Sequence, residues 1–361
     1  MKKIIAFALA ALMALFCLSA CGQSYNADTV MTVNGSEVSW DEYMYWMGYS
    51  VNQIEQKYSY AGTAVDYTND EDVALIMKGA KQAVLEQHVI FAKAAELGIS
   101  VDEEKVDEVI SNYISYYCGE DATEEDFETL LTESYATLDT FKTMVSSNFL
   151  YTDIINNMYG EGGADISDEE IQSYAEQNEY VTATHILLLT TDEDGEELSS
   201  SQKAKLERQA KGFVSELQAI DDNEKRLERF NELKAEYCED TGKEAYPDGY
   251  CFTTGTMVSE FDTTARELGE YEVSDVVETE YGYHVIMRLP LTGDDLCSGS
   301  DGYPTPLRSL AAESLFNVEF DNWIKDAQVE FVGKYKNYQF EGLFDENGFN
   351  YISYKDSLTE G

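Results

Sequence analysis

Positive charge is scarce in this sequence. Lys and Arg together number 24, against 70 Asp and Glu, so the formal net charge is −46 at pH 7. Nucleic-acid-binding proteins need Lys and Arg to neutralise phosphates, and this composition excludes that class. The negative charge would keep the protein soluble and attract cations or basic unfolded segments. A solvated acidic surface with no binding role explains the charge equally well.

Long apolar runs and metal-ligand patterns are missing as well. Beyond residue 16 no segment is apolar enough to span a bilayer. The cysteines of the remaining chain, which are Cys118, Cys238, Cys251 and Cys297, show no metal-ligand spacing. We therefore expect neither a metal nor an organic cofactor. Export would permit a disulfide, for example between Cys238 and Cys251, but the sequence leaves that pairing open.

The N-terminus has the features of an export signal. Lys2 and Lys3 precede an apolar run at residues 4–16, and Leu-Ser-Ala-Cys follows, ending at Cys21. This ending looks like a bacterial lipobox, which implies cleavage before Cys21 and a lipid on its thiol. We expect a protein anchored by its N-terminus on the extracytoplasmic face of the cell membrane. The alternative is an ordinary signal peptide followed by a cysteine that occurs there by chance.

The next part of the chain is predicted to be mostly helical. A strand at Thr29–Val33 ends at an Asn-Gly turn, and helix starts follow at Ser39, Ser100 and Ser167. Gly98 is placed to end a helix, and His88 is interpreted as structural. Near the C-terminus, residues 307–324 show a helical pattern and residues 329–332 alternate as a strand does. Because an unpaired strand is not stable alone, 329–332 is the candidate partner of the first strand.

Two of the three histidines stand in similar surroundings. His185 opens the run Ile-Leu-Leu-Leu, and His284 opens Val-Ile-Met. Apolar runs of this kind are typical of buried strands, so two strands could bring the imidazoles together in one sheet. Helical patterns occupy residues 206–217 and 227–237 between them. Taken alone, each histidine would be interpreted as a hydrogen-bonded core residue.

The order of motifs around these histidines resembles the parvulin-type peptidyl-prolyl isomerases. The pieces are His-Ile-Leu at His185, Gly-x-Met-x-x-x-Phe at residues 255–261, and Gly-Tyr-His ending at His284. The resemblance implies that residues 181–292 form a parvulin-like domain, a small antiparallel sheet flanked by helices. It also implies a proline pocket made by Phe252, Met257 and Phe261. The polar residues that match the family's catalytic centre are His185, Asp240, Thr279 and His284.

Catalysis of rotation about an X-Pro amide requires a binding pocket that favours the twisted amide, and no covalent bond has to be broken. The barrier is about 18–20 kcal/mol, whereas the isomers differ by only about 0.5–1 kcal/mol. A catalyst must hold the proline ring, exclude water and favour the twisted amide, whose carbonyl is less polar. The resemblance implies an electrostatic role for Asp240. Its carboxylate would either polarise the histidine pair or oppose negative charge on the carbonyl oxygen of the X-Pro amide.

This chain also departs from the family pattern. The family has Gly-Gly-Asp-Leu-Gly before the pocket aromatic, where residues 246–250 here are Tyr-Pro-Asp-Gly-Tyr. The Leu of one pocket wall is thus replaced by Gly249, unless Tyr250 fills its place. Extra sequence at residues 192–201 is expected to form an exposed loop. The pocket segment lacks an Arg and Lys cluster, which argues against specificity for phosphate. These departures put the catalytic rate in question more than the fold.

Outside the parvulin segment, the chain resembles PrsA-type foldases and SurA-type chaperones. The resemblance rests on a strand, an Asn-Gly turn, a helix, and then a long helix ending in Ala-Ala-Glu-Leu-Gly at Gly98. The resemblance implies an α+β protein with a signal at 1–20, a helical chaperone domain at 21–180, the inserted isomerase domain at 181–292, and a segment at 293–361 that completes the chaperone domain.

These observations predict a surface-anchored foldase. It would bind unfolded or partly folded exported polypeptides and isomerise their X-Pro bonds. An alternative is a holdase chaperone whose parvulin domain has lost useful catalysis. A solute-binding lipoprotein is a third class, but its two-lobed α/β pattern is not seen.

Overall fold

A computed structural model describes residues 29–132, 136–298 and 303–351 of the chain. The predicted signal at 1–20 and the lipidation at Cys21 lie outside these residues. The chain divides into two compact units. One comprises the chain up to Ile154 and from Val318 onward, and the other comprises Ile155–Asn317. Within the described residues, none of the helices combines the length and the apolar character that crossing a membrane requires.

The first unit contains a three-stranded antiparallel sheet. Strands β1 (Thr29–Val33) and β2 (Ser36–Ser39) form a hairpin, and β9 (Val329–Phe331) pairs with the other edge of β1. The hairpin turn has positive φ at Asn34 and Gly35, 51° and 85°, which suits Asn-Gly. The predicted pairing between the first strand and the C-terminal strand is confirmed. Strand β2 was not predicted, because a single apolar residue gives it little pattern.

Helices make up most of the first unit. They are α1 (Trp40–Tyr60), α2 (Asp70–Leu97), α3 (Glu103–Cys118), α4 (Glu124–Thr132) and most of α5 (Leu138–Tyr159). Ser39 caps α1, and Gly98, with φ of 73°, ends α2 as predicted. The start predicted at Ser100 is wrong by two residues. Asp102 caps α3 instead, because its carboxylate accepts from the Lys105 amide. His88 Nε2 lies 2.9 Å from Glu42 Oε1, which agrees with the predicted structural role of His88.

The C-terminal segment shares the apolar core of α1 and α2. Trp40 packs against Tyr335 and Phe340 with ring centroids 5.4 and 6.3 Å apart. Tyr43 meets the Phe340 ring edge-on at 5.1 Å. Residues from opposite ends of the sequence therefore bury one another in a single core. In helix α10 (Leu307–Asp326), which carries the chain into this segment, Val318 is exposed although the helical pattern includes it.

The second unit is built on a six-stranded sheet in the order β5-β6-β3-β4-β7-β8. The strands are β3 (Val181–Leu189), β4 (Tyr250–Phe252), β5 (Val277–Glu278), β6 (Gly282–Leu289), β7 (Leu296–Ser298) and β8 (Pro304–Pro306). The α+β class is confirmed. The sheet is mixed rather than purely antiparallel, because β4 and β7 run parallel.

Helices cover this sheet. They are α6 (Asp168–Gln177), α7 (Ser200–Gln218), α8 (Asn223–Tyr237), α9 (Ser259–Glu267) and the first part of α10. Helix α6 begins with the predicted capping box at Ser167, and α7 and α8 are the two helices predicted between the histidines. The extra sequence at 192–199 is a mostly exposed loop closed by a bridge between Thr191 and Glu197.

A disulfide joins two strands of the second unit. It links Cys251 in β4 to Cys297 in β7, with Cα atoms 4.6 Å apart. Cys238 is buried and free, so the pairing of Cys238 with Cys251 that the sequence left open is not the one formed. The sequence did not indicate the observed pair, because β7 is three residues long and its place beside β4 depends on the sheet.

Candidate active site

Strands β3 and β6 bring the two histidines into direct contact. In their antiparallel register Leu187 lies opposite His284, and His185 lies opposite Ile286. The two positions are offset by two residues, so both imidazoles project from the same face of the sheet. Their Nδ1 atoms are 2.9 Å apart, and the rings stack with centroids 5.2 Å apart. His185 is 7% and His284 3% exposed.

Asp240 and Thr279 extend this pair at its two ends. Asp240 Oδ2 is 3.0 Å from His185 Nε2, and Thr279 Oγ1 is 2.8 Å from His284 Nε2. Asp240 follows α8, where the Glu239 amide donates to the Leu187 carbonyl and holds this segment against β3. The four polar residues singled out in the sequence therefore form one hydrogen-bonded chain.

Asp240 is held as a carboxylate. Burial by itself would raise its pKa. Hydrogen bonds from His185, the Tyr250 hydroxyl and the Gly242 amide outweigh burial and lower the pKa of Asp240 well below the ordinary carboxyl value. An ionised carboxylate can only accept, so His185 Nε2 carries a proton and donates it.

The direction of the remaining hydrogen bonds follows from that proton. Burial, and next the nearby His185, lower the pKa of His284 from 6.5 to about 3, so His284 is neutral near pH 7. With a single proton on His185, at Nε2, its Nδ1 atom is an acceptor and His284 Nδ1 is the donor between the two rings. His284 Nε2 then accepts from the Thr279 hydroxyl, whose oxygen in turn accepts from the Tyr281 amide at 3.2 Å. From Thr279 to Asp240, every residue of this hydrogen-bonded series donates to the next one.

Aromatic side chains form the apolar part of the site. Phe261, near the start of α9, meets His185 and His284 edge-on, with ring centroids 5.2 and 5.7 Å away. Phe252 in β4 lies 5.8 Å from Phe261, and half-buried Met257 packs on the same cluster. The three predicted pocket residues therefore lie together beside the histidines. Their assignment to a proline pocket remains a prediction.

Asp262 supports this apolar part and was missed in the sequence. Its Oδ2 accepts from the Gly255 amide at 3.0 Å, and its Oδ1 lies 2.7 Å from Arg266 Nε. The bonds tie the loop before Met257 to helix α9. The available signal was the i,i+4 spacing of Asp262 and Arg266, which is also common on exposed helices.

The replaced loop brings a tyrosine to the site. Gly249 has φ of 116°, and a Cβ there would lie 2.8 Å from the Ala183 carbonyl, so the Leu of the family pattern cannot stand at this position. The Tyr250 ring instead meets His185 edge-on at 5.7 Å, and its hydroxyl reaches Asp240.

Comparison with known proteins agrees with this arrangement. A family model for PPIC-type PPIase domains matches residues 185–289, and one for SurA-like N-terminal domains matches residues 1–155. The second unit thus contains a parvulin-type peptidyl-prolyl isomerase domain. The foldase protein PrsA of Halalkalibacterium halodurans is 28% identical over 284 residues, covering 76% of this chain and 70% of its own. PrsA of Caldanaerobacter subterraneus is 24% identical, covering 91% and 96% respectively. Over most of its length the chain is therefore similar to PrsA-type foldases, and it contains both kinds of domain that these two family models describe.

Solved structures of such proteins also match. The crystal structure of PrsA from Bacillus subtilis is 24% identical, with a TM-score of 0.29, and covers 69% of this chain and 82% of that one. PrsA from Bacillus cereus is 16% identical, with a TM-score of 0.28, and covers 88% of this chain and 98% of that one.

Proposed function

We propose that this protein is a membrane-anchored, extracytoplasmic foldase that isomerises X-Pro bonds in exported polypeptides. One observation carries the isomerase part. A hydrogen-bonded chain runs from Thr279 through both histidines to Asp240, and it lies directly against the aromatic ring of Phe261. Such a combination of fixed polar groups and apolar surface is what a twisted amide requires.

The apolar side chains would hold the proline ring. Phe261 and Phe252 are buried, and Met257 is flexible enough to adapt to the ring beside them. Contact with this surface removes water from the amide. A desolvated amide rotates more readily, because its planar form, with the more polar carbonyl, loses more hydration than its twisted form.

The hydrogen-bonded residues, from Thr279 through the two histidines to Asp240, would act on the carbonyl oxygen of the X-Pro amide. In the planar amide this oxygen carries more negative charge than in the twisted amide. A fixed carboxylate at Asp240, extended by neutral imidazoles, therefore disfavours the planar form more than the twisted one. No covalent step is needed. Keeping His284 neutral also prevents an imidazolium from stabilising the planar amide.

A test of the isomerase uses the refolding of a protein whose slow step is proline isomerisation. We expect the wild-type chain to accelerate this step and Phe261→Ala to lower kcat/KM at least tenfold. Truncating a buried Phe can cost about 3–5 kcal/mol of stability, so folding must be checked by circular dichroism. Phe213→Ala is the matched control, because Phe213 is also buried in the second unit but belongs to another core cluster. Equal activity of folded Phe261→Ala and wild type would remove Phe261 from the site.

A second candidate, a holdase without useful catalysis, is favoured by one observation. Gly249 leaves the wall normally made by Leu without a side chain. If the wild-type chain suppresses aggregation of an unfolded client but leaves the proline-limited phase unchanged, the holdase is the correct function.

The anchor would be a lipid on Cys21. Support comes from the basic, apolar and small-residue pattern that precedes it. Cys21→Ala should leave the protein unprocessed or release it to the medium, as followed by fractionation and the mass of the N-terminal peptide. A Cys21→Ala protein that is cut correctly and stays on the membrane would contradict the lipid anchor.

The chaperone part would be formed by the first unit, whose bounds at Ile154 and Val318 make it smaller than the 21–180 and 293–361 expected from the sequence. Strand β9 beside β1, and the Trp40 core shared with Tyr335 and Phe340, support this division. It would bind unfolded exported polypeptides, and we do not expect it to bind nucleic acid. The excess of acidic residues would favour clients that carry basic segments.

A further inference from the structure

Tyr250 contacts Asp240, one of the four hydrogen-bonded polar residues of the site. The parvulin pattern does not include this contact. The Tyr250 hydroxyl donates to Asp240 Oδ2 at 2.5 Å, and the same oxygen accepts from His185 Nε2 at 3.0 Å. We propose that Tyr250 is a positioning residue that acts through Asp240, fixing the carboxylate against His185. This inference rests on the proposed isomerase function.

Both oxygens of Asp240 are engaged. Oδ1 accepts from the Gly242 amide at 3.0 Å, and Oδ2 accepts from His185 and Tyr250. A carboxylate held by donors on both oxygens cannot turn about its terminal bond without breaking one of them. Without the Tyr250 hydroxyl each oxygen keeps one donor, Gly242 for Oδ1 and His185 for Oδ2, so a turn of the carboxylate breaks two hydrogen bonds instead of three and becomes easier.

The backbone around Asp240 leaves room for this hydroxyl. A Cβ at Gly242 would lie 2.2 Å from Tyr250 Oη, so any larger residue there would displace the ring. Gly249, the residue before Tyr250, lies against the Ala183 carbonyl with φ of 116°. Two glycines therefore allow the tyrosine to reach Asp240 from β4.

The loop that carries Tyr250 is itself anchored. The Tyr246 ring lies 4.7 Å from the Tyr250 ring, and Lys234 Nζ donates to the Pro247 carbonyl at 2.8 Å. Lys234 is 7% exposed, and burial lowers its pKa. A buried ammonium group is unfavourable unless it is hydrogen-bonded, so Lys234 must keep its bond to the Pro247 carbonyl. This bond holds the loop in place.

The consequence concerns the histidines. The orientation of Asp240 keeps the proton on His185 Nε2, and that proton sets the direction of every other bond in the chain. A loosened carboxylate would allow His185 to exchange between its two neutral forms. His284 would then lose its acceptor for part of the time, although neither imidazole is changed.

The test is a double-mutant cycle in the full chain, with kcat and KM measured on an X-Pro peptide near pH 7.5. Tyr250→Phe keeps the ring and removes the hydroxyl. We expect it to lower kcat about threefold to tenfold, with KM within about twofold, and to have less than a twofold effect in an Asp240→Asn background. Tyr246→Phe, which removes a hydroxyl from the neighbouring ring of the same loop, should leave kcat unchanged. The same factor in both backgrounds, or from Tyr246→Phe, would overturn the proposal.

A second measurement does not depend on activity. The chain contains three histidines, so the ring ¹⁵N signals of His185, His284 and His88 can be resolved. Wild type should show one neutral form for each site histidine, and Tyr250→Phe should shift both towards an average of two forms while His88 stays constant. Unchanged ring signals would refute the positioning part of Tyr250. If wild type proves inactive, the proposed function fails, but these spectra still decide about Tyr250.

Discussion

The contact between His185 and His284 has room for one proton. Their Nδ1 atoms are 2.9 Å apart, so one nitrogen donates and the other accepts. A further proton would either set two N–H groups against each other or charge an imidazole that has almost no access to water. For His284 the buried imidazole is the neutral one, because burial lowers its pKa to about 3. This preference for the neutral form makes the folded state sensitive to acid.

The first prediction is a pH-dependent stability that depends on His284. Its pKa is lowered from 6.5 to about 3 in the folded state, so the unfolded chain takes up the proton first as pH falls. The stability contributed by neutral His284 is fully present above pH 6.5 and is lost towards pH 3, by at most about 1.4 kcal/mol per pH unit. The lowered pKa of Asp240 also contributes stability, but this is lost mainly below about pH 5, so most of the fall between pH 6.5 and 4.5 comes from His284.

Urea unfolding of the second unit between pH 6.5 and 4.5 measures this effect. We expect the free energy of unfolding to fall less steeply with acid in His284→Gln than in wild type. His88→Gln is the control, since it changes a histidine of the other unit. Parallel slopes for wild type and His284→Gln would show that His284 is not the group that titrates.

At the scale of elements, the two central strands were predictable and their short neighbours were not. Residues 186–189 and 285–287 are apolar runs, and burial of a strand on both faces produces such runs. Strands β5, β7 and β8 have two or three residues each. So few residues carry no periodicity, and their pairing with a neighbour, rather than their own sequence, makes them strands.

The site was predictable to the extent that its contacts follow from strands β3 and β6. Family motifs identified His185 and His284, and strand register then fixed their distance. Tyr250 could be noticed only as a departure from the pattern. Its bond to Asp240 depends on two close backbone approaches, at Gly242 and Gly249, which have no signature in a single sequence.

A glycine in β6 should be essential to the sheet. Gly282 has φ of 151°, and a Cβ there would lie 2.1 Å from the Leu188 carbonyl in β3. Gly282→Ala must therefore push the two central strands apart, and we expect a loss of more than about 2 kcal/mol in the free energy of unfolding. The measurement is the urea midpoint. Gly212→Ala in α7 has open space around its new Cβ and should instead stabilise by up to about 1 kcal/mol. Similar changes in both variants would contradict the close approach.

At the scale of the whole molecule, the two units differ in chain continuity. The second unit is one continuous stretch, Ile155–Asn317, and its disulfide closes a loop between residues 46 positions apart. The first unit takes residues from both ends of the chain. Its core cannot be completed until the C-terminal segment is available, and closing so long a loop slows the formation of contacts.

The last prediction follows from this discontinuity. Residues 21–159 joined by a Gly/Ser linker to 307–361, which keeps α5 and α10 whole, should fold and suppress aggregation of an unfolded client without isomerising it. Residues 21–159 alone should fail to unfold cooperatively, because Trp40 and Tyr43 lose Tyr335 and Phe340 as partners. Urea titration and light scattering measure the two properties. Phe340→Ala in the joined protein should cost about 3–5 kcal/mol, because it removes one of those partners. If 21–159 alone proves as stable as the joined protein, the C-terminal segment is not part of the first unit's core, and the proposed chaperone domain is wrong.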